Sequence, residues 1–354
     1  MKKYNAIGLM SGTSLDGLDI AACEFTFMDR KWSFRILYSQ TYPYSAQWKK
    51  KLSSAHRTNA LTFSMINKDY GHLLGRLTNS FLEKTGFIPD FIASHGHTVF
   101  HQPDRGLTVQ IGSGSAIAAE TGYPVICDFR SLDVALGGQG APLVPVGDRL
   151  LFHEFDACLN LGGFANISME KNGSRIAFDI CPANIILNKV SSRLGLDYDK
   201  DGQIARTGTI VPQLLEQLNT LDYYQLGYPK SLGREWLDHD FLPVIGIYNF
   251  PENDLLRTIC EHIACQVNKS LNQPAKSLKI LVSGGGTHNT FLLELLKKNN
   301  NHNWMVLSDV ISDFKEALIF AFLGTLRWTG KSNVLASVTG SKKNHPGGSI
   351  YRPA

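Results

Sequence analysis

The sequence of 354 residues predicts an α/β fold in two lobes, on three observations. Short apolar strands alternate with helical periods along most of the chain. A strand, glycine turn, strand pattern at the N-terminus returns near residue 155, which predicts related halves at 1–154 and 155–354. Glycine-rich turns follow apolar strands at Gly8–Gly17, Asn160–Asn166 and Ser283–Asn289.

Element by element, Tyr4–Met10 is an apolar strand, Asp16-Gly17 a hairpin-turn pair, and Ile20–Phe27 the return strand. Trp32–Tyr38 is a further strand. Ile66, Tyr70, Leu73, Leu74, Leu77 and Phe81 recur at helical spacing, and Gly86 ends that helix. Phe91–Phe100 reads as one strand leading into a histidine-rich turn, and Thr108–Ile111 as a short strand. Ser113–Thr121 is a helix stopped by Gly122, Tyr123–Phe129 a strand, and Ala135–Pro145 a Gly/Pro loop. In the second half Ala157–Leu161 and Ala165–Met169 are strands about Gly162-Gly163. Pro212–Leu221 is a helix, and Leu255–Leu271 another, with Leu256, Ile259, Ile263 and Val267 on one face. Leu278–Val282 is a strand and Thr290–Lys298 a helix. Phe314–Trp328 is apolar nearly all round and reads as a buried helix.

A hydrophobic content of 43% with 19% charged residues excludes a disordered chain. Folding at this length buries roughly three quarters of the unfolded surface, core enough without disulfide or metal staples. Net charge is +4, and the longest basic run, Lys49-Lys50-Lys51, reads as a solvated helix face, so no nucleic-acid partner is expected. No apolar stretch reaches the ~18–20 residues of a bilayer span, and no signal-peptide pattern is present. The six cysteines form no CxxC and read as reduced core residues. A cytoplasmic protein away from membranes is the expectation.

Glycine lets backbone N–H groups approach an anion, and Ser11, Thr13 and Ser14 add hydroxyl donors. Two opposed hairpins, one per half, can clamp a polyphosphate, and the third turn opens a helix whose N-terminal end suits a nucleotide. Ordinary tight turns are the alternative for each one singly; three together favour the cradle. Gly330-Lys331-Ser332 imitates the end of a Walker A motif, but Thr325 stands where that motif needs glycine and a helix precedes it.

Asp16 and Asp19 flank the first turn, where carboxylates can hold Mg²⁺; Asp16 is equally a plain turn residue. Asp179 ends the apolar run Ile176-Ala177-Phe178 and is either a general base or a helix N-cap. His95, His97 and His101 suit a polar pocket better than a metal, because no acidic or cysteine ligand is near in sequence. Arg130 can pair with a substrate carboxylate, or internally with Asp128 or Asp133. The loop from Gly137 to Pro142, with Gln139 inside it, either wraps a small polar ligand or turns a corner.

Taken in order, these motifs resemble the anhydro-N-acetylmuramic acid kinase family. The likeness lies in SGTSLDG at 11–17, SHGHTVFHQP at 94–103, the stretch from Gln110 to Arg130, and GGQGAPLVP at 137–145. It continues in LNLGGFANIS at 159–168, DKDG at 199–202, PKSLGRE at 229–235 and SGGGTHN at 283–289. The resemblance implies a two-lobed hexokinase/actin-like fold, that is, a duplicated ribonuclease H-like fold, with ATP in the interlobe cleft and Mg²⁺ as its companion. It implies a kinase that hydrolyses the anhydro bridge of 1,6-anhydro-N-acetylmuramic acid and phosphorylates the released 6-oxygen, in peptidoglycan recycling. It also implies a homodimer. By this likeness Gly12, Thr13, Ser14, Leu15, Asp16, Gly17, Leu18 and Asp19 would bind ATP phosphates, with Asp16 and Asp19 the Mg²⁺ candidates. Gly163 would meet the phosphates from the other lobe, Gly285 and Gly286 would lie near the adenosine, and Asp179 would activate water. His97, Arg130 and Gln139 are the candidate contacts to the amino sugar. One departure stands out. The family continues from its aspartate as D-[TC]-G-P-G-N, whereas this chain reads Asp179-Ile-Cys-Pro-Ala-Asn184, and Leu232 replaces a usual threonine. Cys181 and Ala183 add β-carbons where glycines stand, so either the loop is reshaped or the substrate differs. The alternatives are therefore a kinase of another sugar in the same fold and a nucleotide-binding sensor without turnover; a metallohydrolase built on His95 and His97 is a further one.

Overall fold

Strand order reveals the duplication. The computed structural model describes all residues except 13–14, 247–249, 272–276, 299 and 354. Its contacts divide the chain into unit 1, residues 1–152 with 313–354, and unit 2, residues 153–312. In unit 1, β1 (Lys2–Met10), β2 (Gly17–Met28) and β3 (Lys31–Pro43) form an antiparallel meander. β4 (Phe91–Ser94) runs parallel to β1; β5 (His97–Gln102) and β6 (Leu107–Ile111) pair apart as a small sheet; β7 (Val125–Cys127) runs parallel to β4. In unit 2, β8 (Ala157–Leu161), β9 (Phe164–Lys171) and β10 (Ser174–Pro182) repeat the meander. β11 (Lys279–Ser283) and β12 (Asn303–Val306) then run parallel to β8. The orders β7-β4-β1-β2-β3 and β10-β9-β8-β11-β12 are the same ribonuclease H-like arrangement twice, as expected.

The central strand β1 buries Ala6–Met10 on both faces, as an interior strand flanked by helices must. The helix Ala60–Thr85 is capped by Asn59, whose side chain accepts from the Thr62 amide, and ends at Gly86 with φ 64°. In unit 2 the helix Glu252–Leu271 buries Leu256, Ile259, Ile263 and Val267, the predicted face.

Three expectations are corrected. Phe91–Phe100 is two strands in two sheets: Gly96 takes φ +74°, and a β-carbon there would meet the Ile111 carbonyl at 2.5 Å. Gly17 is the first residue of β2 rather than a hairpin corner, and the connection spans 11–16. The segment 313–354 does not stay with the second half. The helix Asp309–Trp328 buries every residue from 317 to 326, and its surface closes on unit 1. The chain then returns through Asn333, whose amide donates to the carbonyls of Leu323 and Gly347, to β13 (Ser349–Tyr351) on the edge of β7. β12 and β13, at four and three residues, are too short for periodicity to find. The expected Gly/Pro loop Ala135–Pro145 runs at its end into the helix Val144–Leu151, with Pro145 in its first turn, where the missing N–H costs nothing. All six cysteines are free, and no helix among the described residues is long and apolar enough to cross a membrane.

The contact between β1 and the helix Asp309–Trp328 requires glycine at position 8, since a β-carbon would lie 1.9 Å from the Ala317 carbonyl oxygen. Gly8→Ala is expected to destabilise the protein by about 1–3 kcal/mol, the usual range for overpacking, read as a lower midpoint in denaturant titration.

Candidate functional site

In unit 1 the β1–β2 connection sits where the two strands part. Leu15 takes φ 61°, with its amide 3.4 Å from the Gly12 carbonyl. Gly17 packs so close to β3 that a β-carbon would lie 2.5 Å from the Tyr42 carbonyl, and Leu18 is a core residue. These two anchor the loop, while Asp16 is exposed at its end. Thr13 and Ser14 lie outside the described residues. The buried His97 ring bonds the Gly12 carbonyl, and burial holds it below the usual histidine range. Its Nδ1 has no hydrogen-bond partner among the described residues.

Asp19 is half-buried on β2 and accepts from Thr41 Oγ1 at 2.6 Å. Desolvation lifts its carboxyl above the ordinary value; Thr41 opposes this, and Asp313 and Asp16 add to it. Glu316 is lifted as well, chiefly by desolvation, with Arg130 and Lys315 opposing and Asp19 reinforcing, although its side chain still reaches solvent. Asp313 and Glu316 went unnoticed in sequence. Their signal, acids three apart on one helical face, was hidden in a helix read for its apolar surface.

Arg130 takes neither internal partner suggested for it. Asp128 accepts from Ser131, and Asp133 accepts from the Gly140 amide, Thr339 and His345. Arg130 turns instead to His95 Nε2, at 3.0–3.2 Å, and to the Gly140 carbonyl at 2.7 Å. His95 must therefore carry its proton on Nδ1, which bonds the Gly96 carbonyl at 2.9 Å. Burial and the neighbouring cation hold that ring well below the usual range, so it stays neutral. Burial pushes Arg130 down to about 10, still a cation at neutral pH. Gln139 is exposed at the tip of the loop, with its main-chain N–H donating to the Thr339 carbonyl at 2.7 Å. His101 bonds Thr108.

In unit 2 the turn between β8 and β9 is fastened to the segment after Asp179. The Gly163 carbonyl accepts from the amides of Ala183 and Ile185, and the Gly162 carbonyl from that of Asn184. Gly163 and Gly285 are exposed, whereas Gly286 is buried against Leu161, its missing β-carbon needed for packing. DKDG has a structural role: Asp199 accepts from the Ile204 and Ala205 amides, and Gly202, at φ +67°, fits under Asn289.

Asp179 lies half-buried inside β10, at the register slip three residues before the strand ends at Pro182 rather than at a strand end as expected, and accepts from the Leu232 amide at 2.9 Å on Oδ2. Desolvation raises its carboxyl, and that amide partly offsets the rise. It is not an N-cap: the following helix, Asn184–Ser191, begins after Ala183, with no side-chain cap bond. The departure at Cys181 and Ala183 is accommodated. Cys181 and Ala183 are both fully buried and neither takes a positive φ, so neither β-carbon narrows an exposed surface. Leucine at 232 preserves the bond to Asp179, because the donor is main-chain.

The Asp19 carboxyl is raised on folding, so the native state binds its proton more tightly than the unfolded chain does. That contribution is present at acid pH and is lost as pH rises through the folded pKa, leaving an uncompensated ionised carboxylate at pH 7. Asp19→Asn, which keeps an acceptor for Thr41, is expected to raise the melting temperature at pH 7. Thermal scans at falling pH should show the gap to wild type closing.

A family model described as "Anhydro-N-acetylmuramic acid kinase" matches residues 4–353. The anhydro-N-acetylmuramic acid kinase of Aliivibrio fischeri is 38% identical over 371 residues, covering 99% of each chain. That of Haemophilus influenzae is 33% identical, covering 99% of this chain and 98% of its own. Among solved structures, a ROK family glucokinase from Streptomyces griseus in complex with glucose and AMPPNP overlaps at a TM-score of 0.40 with 14% identity, over 90% of this chain and 98% of that one, too loosely to argue from.

Proposed function

Because this chain belongs to the anhydro-N-acetylmuramic acid kinase family, ATP-dependent sugar kinases of cell-wall recycling, we propose that Asp179 is its catalytic base. The reaction adds water across the anhydro bridge of 1,6-anhydro-N-acetylmuramic acid. Water attacks the anomeric carbon, the bridging carbon–oxygen bond breaks, and the freed 6-oxygen takes the γ-phosphoryl group, giving N-acetylmuramic acid 6-phosphate and ADP. The observation that carries the assignment is the state of Asp179: half-buried, its Oδ2 held by the Leu232 amide and its Oδ1, without a hydrogen bond among the described residues, available for a proton from water. Desolvation makes that carboxylate a stronger base than a solvated aspartate.

The nucleotide falls to the glycine turns. Residues Gly12, Thr13, Ser14, Leu15, Asp16, Gly17, Leu18 and Asp19 are assigned the phosphates, Leu18 and Gly17 by anchoring the loop. Gly163 is assigned the phosphates as well, and Gly285 and Gly286 the adenosine. Asp16 and Asp19 fit Mg²⁺, because a dication would relieve the desolvation and mutual repulsion that lift Asp19. Bound there, Mg²⁺ would neutralise charge on the phosphates. His97, through its unpartnered Nδ1, Arg130 and the exposed Gln139 are assigned the sugar, Arg130 by donors left for a carboxylate. Free cysteines throughout fit a cytoplasmic enzyme.

Asp179→Asn is expected to leave ATP affinity near wild type and to lower turnover by roughly 10²–10⁴-fold, the usual worth of a general base; ADP and phosphosugar release with the anhydro sugar measure it. In wild type the base must be ionised, so kcat should fall with acid at a pH above the ordinary aspartate value of 3.8. Normal turnover by the variant would make Asp179 merely structural.

A further inference from the structure

We propose that Tyr223 and Lys230 are positioning residues for Asp179, acting through the main chain of the strand that carries it; this rests on Asp179 being the base. β10 is an edge strand, and its register on β9 slips between Asp179 and Cys181. An edge strand presents main-chain groups that need partners beyond the sheet. For Asp179 one short segment supplies all of them. The Asp179 amide donates to the Lys230 carbonyl at 3.2 Å. The Tyr223 hydroxyl donates to the Asp179 carbonyl at 2.6 Å. The Leu232 amide donates to the carboxylate itself at 2.9 Å. Backbone and side chain of the base are thus held from residues 223–232.

Lys230 closes that segment on itself. Its ammonium donates to the Tyr223 carbonyl at 3.1 Å and sits 4.4 Å from the centre of the Tyr223 ring. The aromatic face replaces part of the water the partly buried ammonium has lost. Tyr223 is 5% exposed, with Trp236 at 5.2 Å on its ring. Burial pushes its phenol far up, and Asp179 adds to this, so the hydroxyl remains a donor. The motif PKSLGRE, which the sequence singled out without a chemical role, acquires one as the clamp on the base.

The test removes single atoms. Tyr223→Phe keeps the ring and deletes the donor; kcat is expected to fall about 10- to 100-fold, in line with displacement of a reacting group by a fraction of an ångström to 1 Å. KM for ATP and for the sugar should stay within about two-fold, because the base acts in the transition state. Lys230→Met should fall in the same direction, and Lys230→Arg, which keeps a cation and a donor over the ring, should recover most of the rate. In the Asp179→Asn background, Tyr223→Phe should add no further loss. Hydrogen exchange at the Asp179 and Leu232 amides should speed up about ten-fold in Tyr223→Phe. An unchanged kcat, an equal further loss in the Asp179→Asn background, or unchanged exchange overturns the proposal. Should wild type fail to turn over the anhydro sugar, the function reading falls by itself, and the exchange measurement alone decides whether Tyr223 holds Asp179.

Discussion

The bare α-carbon of Gly8 lets a helix from the far end of the chain lie directly on the central strand of unit 1. No side chain fits between β1 and the Ala317 carbonyl. That approach brings Asp313 and Glu316 to Asp19 and Arg130, so the acid side of the proposed phosphate site is assembled from residues nearly 300 positions apart. It also returns the C-terminal segment to unit 1, where Thr339 and His345 bond Asp133, which in turn holds the Gly140 amide. The loop bearing Gln139 is thereby fastened by residues that neighbour it only in space.

Unit 2 repeats the strand order with a different emphasis. Its meander ends at an edge strand, and an edge leaves main-chain groups to be satisfied from elsewhere. The chain uses that need to grip Asp179. Desolvation that makes the carboxylate basic also makes its ionised form unfavourable to hold, and the single Leu232 amide only partly compensates. The same tension appears at Asp19, where Thr41 supplies one bond against burial and two neighbouring carboxylates.

Two of the substitutions that set this chain apart from its family's pattern, Cys181 and Ala183, are fully buried, and the third, Leu232, is partly buried. Cys181 and Ala183 join the unit 2 core, and Leu232 contributes an amide that threonine would contribute equally. Positive φ is what most often demands glycine, and neither 181 nor 183 has it. A motif can therefore change letters at these positions without changing the surface it offers.

Read alone, the sequence determined the α/β class, the duplication, most long helices and the glycine turns, because each rests on local periodicity or on backbone freedom that a few consecutive residues express. It also marked Asp179, Asp16 and Asp19 as chemistry-bearing, since carboxylates at strand ends and turns stand out against apolar neighbours. Tertiary structure alone decided that residues 313–354 rejoin the first unit, that Arg130 leans on His95 rather than on Asp128 or Asp133, and that Tyr223 and Leu232 hold the proposed base. Those outcomes depend on which distant surfaces meet and which buried polar groups find partners there, and a linear string carries no record of distance.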